Sequence, residues 1–209
     1  NLNKEDYLVK SLFLPSISKD YVISDLLDDG FLIAQPEIRQ LCKDAFISKY
    51  GSIREMYRKL KLDRKAFLSK SKIAISIRHL KLAGIYNGIK NKIHTFKTEK
   101  GTIIKIEKLT PDLFYLLGLI ASDGNNTKEK NTKTYTRIKF HNINEEIIDT
   151  FLTTYKEIFP NVPISKKRIK NGRFNIFQLD TSNSLLASIA ASLGVKSPQK
   201  YSDILPILN

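Results

Sequence analysis

The groups in this chain that could do chemistry are one carboxylate and several rows of cations. Asp123 follows the nearly all-apolar run from Phe114 to Ala121, with Ser122 before it and Gly124 after it. Thr110-Pro111-Asp112 reads as a helix start: Thr110 can cap, Pro111 suits the first helical position, and Asp112 favours the positive end of the dipole. A surface helix would carry a polar face, and this one has almost none before Ser122. It must be buried all round or packed against a second helix, and it delivers one carboxylate to its C-terminal end.

The cations come next. From Tyr135 to His141 the chain alternates with strand period, so Thr136, Ile138 and Phe140 share one face while Tyr135, Arg137, Lys139 and His141 share the other. Ile164 to Lys170 carries Lys166, Lys167, Arg168 and Lys170, and Asn171-Gly172 is a two-residue turn signal leading into a returning strand from Arg173 to Leu179. A cationic face backed by an apolar one is what a half-buried sheet needs in order to lie on DNA, whose major groove admits a two-stranded ribbon. His79, His94 and His141 have no metal-ligand spacing, although His141 can touch a phosphate. Cys42 is alone, so there is neither a disulfide framework nor a cysteine metal site.

The elements that must hold these groups follow a regular order. After the Thr110 helix, Asn125, Asn126, Thr127 and Lys128 open a basic, threonine-rich hairpin that returns through Tyr135. Asn144 caps a helix with Glu145 and Glu146 in its first turn, and Ile147, Ile148, Phe151, Leu152, Tyr155 and Ile158 form its apolar stripe up to Pro160. In the second hairpin the inward face of the return strand stays open, since Phe174 and Ile176 lie on one side and Phe177 and Leu179 on the other. Leu185, Leu186, Ile189 and Leu193 mark a last helix that stops at Gly194.

Leu116 to Gly124 reads LLGLIASDG, which resembles the nine-residue signature of the LAGLIDADG homing endonuclease family. The order of helix, hairpin, helix, hairpin, helix is similar to one repeat of that family. The resemblance covers residues 101–209 and implies an α+β, αββαββα fold. It also implies that Gly118 is the glycine at which two such helices pack, with Leu117 and Ala121 beside it. Asp123 and the main-chain carbonyl of Ser122 become ligands for a divalent cation, Mg²⁺ or Mn²⁺, at a scissile phosphate. One departure is visible, Ala121 where the name-giving sequence has aspartate. The family also places a lysine late in the repeat, which here selects Lys200, with Lys196 as second choice. Only one signature is present, so the resemblance implies a second repeat, supplied by another copy of the chain or by a missing or separate half.

Residues 1–100 read as a mostly helical DNA-binding domain. Pro36 to Tyr50 is a helix candidate stopped by Gly51, and Ser52-Ile53-Arg54-Glu55 is a capping box that starts a short helix to Leu60. After a tight turn at Leu62-Asp63, a second helical stretch carries Phe67, Ile73, Ile77, Leu80 and Leu82 and closes at Gly84. This is similar to a winged helix-turn-helix, with Arg64, Lys65, Lys70, Lys72, Arg78 and Lys81 as groove-facing candidates and wing hairpins at Asn87-Gly88 and Lys100-Gly101. A small helical bundle with a solvated lysine face is the plain alternative. Thr102 to Lys108 is a strand or linker, and the domain boundary falls near it.

Composition points the same way. The chain has 209 residues, a net charge of +14 and 42% hydrophobic content. That supports real cores and a polyanionic partner, nucleic acid being the commonest. The longest apolar run is far too short to span a bilayer, and no signal peptide is visible, so the expected setting is intracellular, cytoplasmic or organellar, without a membrane. A start at Asn1 suggests a trimmed or processed sequence. The function expected is a site-specific, metal-dependent double-stranded DNA endonuclease. The rival is a non-cleaving transcription regulator or an RNA-splicing maturase on the same fold.

Overall fold

A computed structural model describes residues 21–62, 67, 74–98, 100–128, 135–171 and 174–195. They form two antiparallel four-stranded sheets with α-helices packed on them.

The first sheet belongs to the N-terminal unit. A 3₁₀ turn at Ile23–Leu26 precedes β1 (Leu32–Ile33), α1 (Pro36–Tyr50) and α2 (Ile53–Leu60). Pro36 stands in the first turn of α1, and Gly51, at φ 79°, closes it by donating its N–H to Ile47 O. Ser52 caps α2 as its sequence requires, accepting from Glu55 N at 3.1 Å. Then come β2 (Ile75–Ser76), α3 (Ile77–Ala83), α4 (Tyr86–Ile89), β3 (Thr95–Lys97) and β4 (Ile103–Lys105), in the sheet order β2-β1-β3-β4.

The unit is mostly helical among its described residues, but four short strands assemble between the helices, and two expectations change. The helical stretch expected through Ile73 to Leu82 is interrupted, since Ile75 pairs with Ile33 and α3 begins only at Ile77. The wing expected at Asn87-Gly88 is instead the single helical turn α4, whereas Lys100-Gly101 does turn a hairpin, β3–β4. Gly101 takes φ 87° there, a conformation that favours glycine. Because β4 pairs with β3, the first sheet runs past residue 100.

The second unit starts with α5 (Pro111–Asp123), whose first turn is capped by Thr110 Oγ1 accepting from Leu113 N at 3.2 Å. It continues through β5 (Gly124–Lys128), β6 (Tyr135–Asn142), α6 (Glu145–Ile158), β7 (Ile164–Asn171), β8 (Phe174–Thr181) and α7 (Ser184–Ser192). The sheet order is β5-β6-β8-β7, so each hairpin keeps its own pair and the two return strands meet in the middle.

The three helices cover one face of this sheet. Leu113, Leu116, Leu117 and Ile120 of α5, Ile148, Phe151 and Tyr155 of α6, and Leu185, Leu186 and Ile189 of α7 are all buried, together with Ile138, Phe140 and Leu179 of the sheet. Phe140 stacks on Phe151 with ring centroids 4.8 Å apart. The open choice on β8 is settled by Leu179 and Thr181, both buried: the side shared by Phe177 and Leu179 faces the helices, and Ile176 faces away. Burial pushes the Tyr155 hydroxyl up to about 12, and it is held at 2.8 Å from Thr181 Oγ1 and 3.2 Å from Asn183 Nδ2. The two units touch where Ser192 Oγ donates to Leu26 O and Lys100 Nζ donates to Ser182 Oγ at 2.9 Å.

Candidate functional site

Asp123 is the last residue of α5, and its side chain is exposed. The carboxyl end of a helix is the negative pole of its dipole, so an aspartate there opposes stability by about 0.3–1 kcal/mol. Such a local conflict marks a position held for something other than folding. Gly124 N donates to Ile120 O and turns the chain at once into β5. A Cβ at Gly124 would lie 2.4 Å from Ile120 O, so only glycine permits this close approach.

A short relay orients the carboxylate. Asn142, at the end of β6, donates from Nδ2 to Asp123 Oδ2 at 3.1 Å. Its own Oδ1 accepts from Asn144 N at 2.8 Å, and Asn144 Oδ1 in turn caps α6 by accepting from Glu146 N at 2.9 Å. Sequence reading missed Asn142, because a neutral residue ending a strand gives no chemical signal before its partner is known. The ligand atoms offered by Asp123 and the end of α5 are oxygens. Beside its carboxylate lie the last carbonyls of α5, Ser122's among them, which have no partner within the helix. Asn125 Oδ1 is shielded from solvent and has no hydrogen-bond partner. Hard divalent cations take such oxygens. Among the described residues no three His, Cys, Asp or Glu side chains gather, so Asp123 is a single carboxylate.

The α5 helix is not buried all round. Tyr115 is 44% exposed, Gly118 and Ser122 are exposed, and Phe114, Leu119 and Ala121 are half-buried beside them. This is a flat stripe of small and aromatic residues with open space above Gly118. Leu117 is a correction: it is 4% exposed and packs into its own core, so it does not belong to this stripe.

The sheet face turned away from the helices is polar, and its register can be read strand by strand. Asn125 pairs with Lys139, Lys139 with Asp180, and Asp180 with Ser165. His141 pairs with Gln178, and Gln178 with Lys167. Arg137, opposite Thr127, reaches Asp180 through Nε at 2.7 Å and Nη2 at 2.5 Å. That bidentate grip lowers the Asp180 pKa below its ordinary value; partial burial opposes the shift, and the fields of Arg137, Lys139 and Lys167 reinforce it. Asn125, Arg137, Lys139, His141 and Lys167 therefore share one face.

Other expected contacts lie elsewhere. Asn126 is 1% exposed and donates to Ala187 O and Val195 O at 2.8 and 3.0 Å, so it ties β5 to α7 and does not reach solvent. Lys166 pairs with Leu179 on the helix side and is held by Asp149 at 2.6 Å and Glu145 at 2.9 Å, which raise its pKa. Arg168 and Lys170 share that side by alternation but are exposed, and Arg168 lies 5.8 Å over the Phe177 ring. Lys128 stands opposite Tyr135 beyond a register shift, its Nζ 4.8 Å over the ring. In the first unit Arg78 is exposed at the start of α3, and Lys81 pairs with Asp29 at 2.5 Å. Arg64, Lys65, Lys70, Lys72, Arg173, Lys196 and Lys200 lie outside the described residues. Burial pushes the lone Cys42 thiol up to about 12, far from a reactive thiolate. Among the described residues no helix is long and apolar enough to cross a membrane.

Comparison with protein-family models, with curated proteins and with solved structures finds no match to this chain.

Proposed function

We propose that the chain is one half of a metal-dependent, site-specific endonuclease for double-stranded DNA, of the LAGLIDADG homing type. One observation carries the reading. An apolar helix with a bare outer stripe ends in an exposed carboxylate, beside a four-stranded sheet whose open face bears the cations Arg137, Lys139 and Lys167. The strand order β5-β6-β8-β7, with all three helices on one face, leaves the opposite face to meet a ligand.

Phosphodiester hydrolysis needs an activated water and neutralised charge on the phosphate. Mg²⁺ or Mn²⁺ supplies both when bound, and it borrows only one or two carboxylates from the protein. Asp123 holds the cation, with the Ser122 carbonyl as a further oxygen. Asn142 occupies Asp123 Oδ2 and leaves Oδ1 to the cation. Arg137, Lys139, His141 and Lys167 bind phosphates and position the duplex, while neutral groups on the same face, such as Asn125, read base edges. Lys200, outside the described residues, is the lysine the resemblance would add to this machinery.

The outer stripe of α5 docks a second repeat, with Gly118 letting the two backbones approach. That repeat is a second copy of the chain or a separate half, and it brings the second carboxylate. Two carboxylates brought that close repel, so cation binding and assembly are coupled. Arg78 on α3 adds a contact to flanking DNA.

The test is a digest of randomised-site DNA with Mg²⁺ and with EDTA, run alongside a mass measurement in solution. Cation-dependent cutting that Asp123→Asn abolishes, with duplex binding retained, supports the reading. Equal loss of binding and cutting counts against a catalytic Asp123. Tight binding with no cutting under any cation identifies the non-cleaving regulator or maturase instead.

A further inference from the structure

Between the β3–β4 turn and one end of the second sheet lies a cleft of about 330 Å³ that joins the open face of that sheet to the first unit. Lys100 enters it from the turn, and Arg137 and Lys167 enter it from the sheet. Among the described residues Asp180 is the one acid lining it, and Arg137 already holds that carboxylate by both oxygens. The cleft therefore keeps a surplus of positive charge. Thr102, Ser165 and Ser182 add hydroxyls at its rim, and Val162, Pro163 and Ile164 give it an apolar wall. Lys100 Nζ, donating to Ser182 Oγ, shows that the turn reaches across and that its ammonium lies at hydrogen-bond distance from the second unit.

We propose, resting on the DNA reading above, that this cleft seats a phosphate of the DNA backbone between Lys100 and Lys167. Cations and hydroxyls are the groups that contact phosphate and sugar, and the apolar wall suits a deoxyribose. A phosphate clamped there is touched by both units at once. One continuous strand then runs from the open face of the second sheet onto the N-terminal unit, which holds the two at a fixed offset along the duplex. A free phosphate ion offers the same chemistry, and the measurement below separates the two sources.

The test is duplex affinity by fluorescence anisotropy across a KCl series, for the full chain and for Lys100→Gln, Lys167→Gln and, as control, Lys156→Gln. Lys156 lies on α6, away from the cleft. Each cleft variant should flatten the slope of log K against log salt by about one, the signature of one lost phosphate contact, while the control keeps the parent slope. Lys100→Arg should restore it. An unchanged slope for Lys100→Gln, with the parent still binding DNA, overturns the cleft and leaves the DNA reading intact. A parent that binds no duplex overturns both. A second arm compares melting in phosphate and in chloride at equal ionic strength. Stabilisation by inorganic phosphate that the cleft variants lose, without any change in DNA slope, overturns the backbone assignment in favour of a free ion. Matched melting curves for all variants in chloride establish that they fold alike.

Discussion

Two glycines in one nonamer should respond in opposite directions to the same substitution. At Gly118 the space where a Cβ would sit is open for at least 4 Å, and the residue is mid-helix. Alanine there removes the entropic penalty of glycine in a helix, which stabilises the single chain by roughly 0.5–1 kcal/mol. At Gly124 the Cβ would lie 2.4, 2.7 and 2.9 Å from Ile120 O, Cα and C, all backbone atoms that cannot swing aside. Relief requires moving β5 off the end of α5, an overpacking cost of about 1–3 kcal/mol. At roughly 2–4 °C per kcal/mol for a chain of this size, Gly118→Ala raises the melting temperature by a few degrees and Gly124→Ala lowers it by roughly 2–12 °C. The assay is calorimetry over a hundredfold range of protein concentration, so that the single-chain limit is separated from any assembly. In the dilute limit, a destabilised Gly118→Ala or an unaffected Gly124→Ala refutes the reasoning. If α5 docks a second repeat, Gly118→Ala also weakens assembly while improving the single chain, and the two effects diverge as concentration rises.

The remaining predictions concern the groups around these glycines. Asn142→Ala releases one Asp123 oxygen and should cut turnover roughly tenfold with duplex affinity unchanged, the usual effect of removing a group that orients a metal ligand; single-turnover cleavage beside anisotropy reads both quantities. Tyr155→Phe leaves Thr181 and Asn183 short of a buried partner and should cost about 1–3 kcal/mol in urea unfolding. Asp180 has a folded pKa below the ordinary 3.8, so it contributes stability above that value which is lost as pH falls through the folded pKa. Asp180→Asn should be less stable than the parent near neutrality and converge with it in acid, as melting curves between pH 2 and pH 7 will record.

Where the sequence was easy to read, one local force decided the structure. Thr110, Asn144 and Ser52 each bond the backbone a few residues on, so their helices begin where the caps stand. The alternation from Tyr135 to Asn142 became a strand with Thr136, Ile138 and Phe140 buried, because only one face had apolar side chains to offer. Where tertiary partners decided, the sequence was silent or misleading. Ile75 sits within helical periodicity and yet pairs with Ile33, 42 positions earlier in the chain, which no local pattern encodes. Asn126 and Lys166 look like surface polar residues, but one reaches α7 carbonyls and the other an acidic pair on α6. Asn142 acquires a role only through a contact with Asp123, 19 positions away. Within the nonamer Asp123 and Gly118 lie at exposed positions on α5 while Leu117 is buried, since an almost all-apolar run does not say which side of the helix meets the sheet.

The strict alternation of β6 also separates two kinds of constraint on the same eight residues. Thr136, Ile138 and Phe140 are committed to the core, while Arg137, Lys139 and His141 stand on the opposite face of the strand. Exchange at the second set leaves packing density untouched, so that surface can drift, or be randomised in a library, at almost no cost to folding. Apart from Arg137, whose grip on Asp180 links it to β8, the outward positions of this strand form an interchangeable keyboard mounted on a fixed frame.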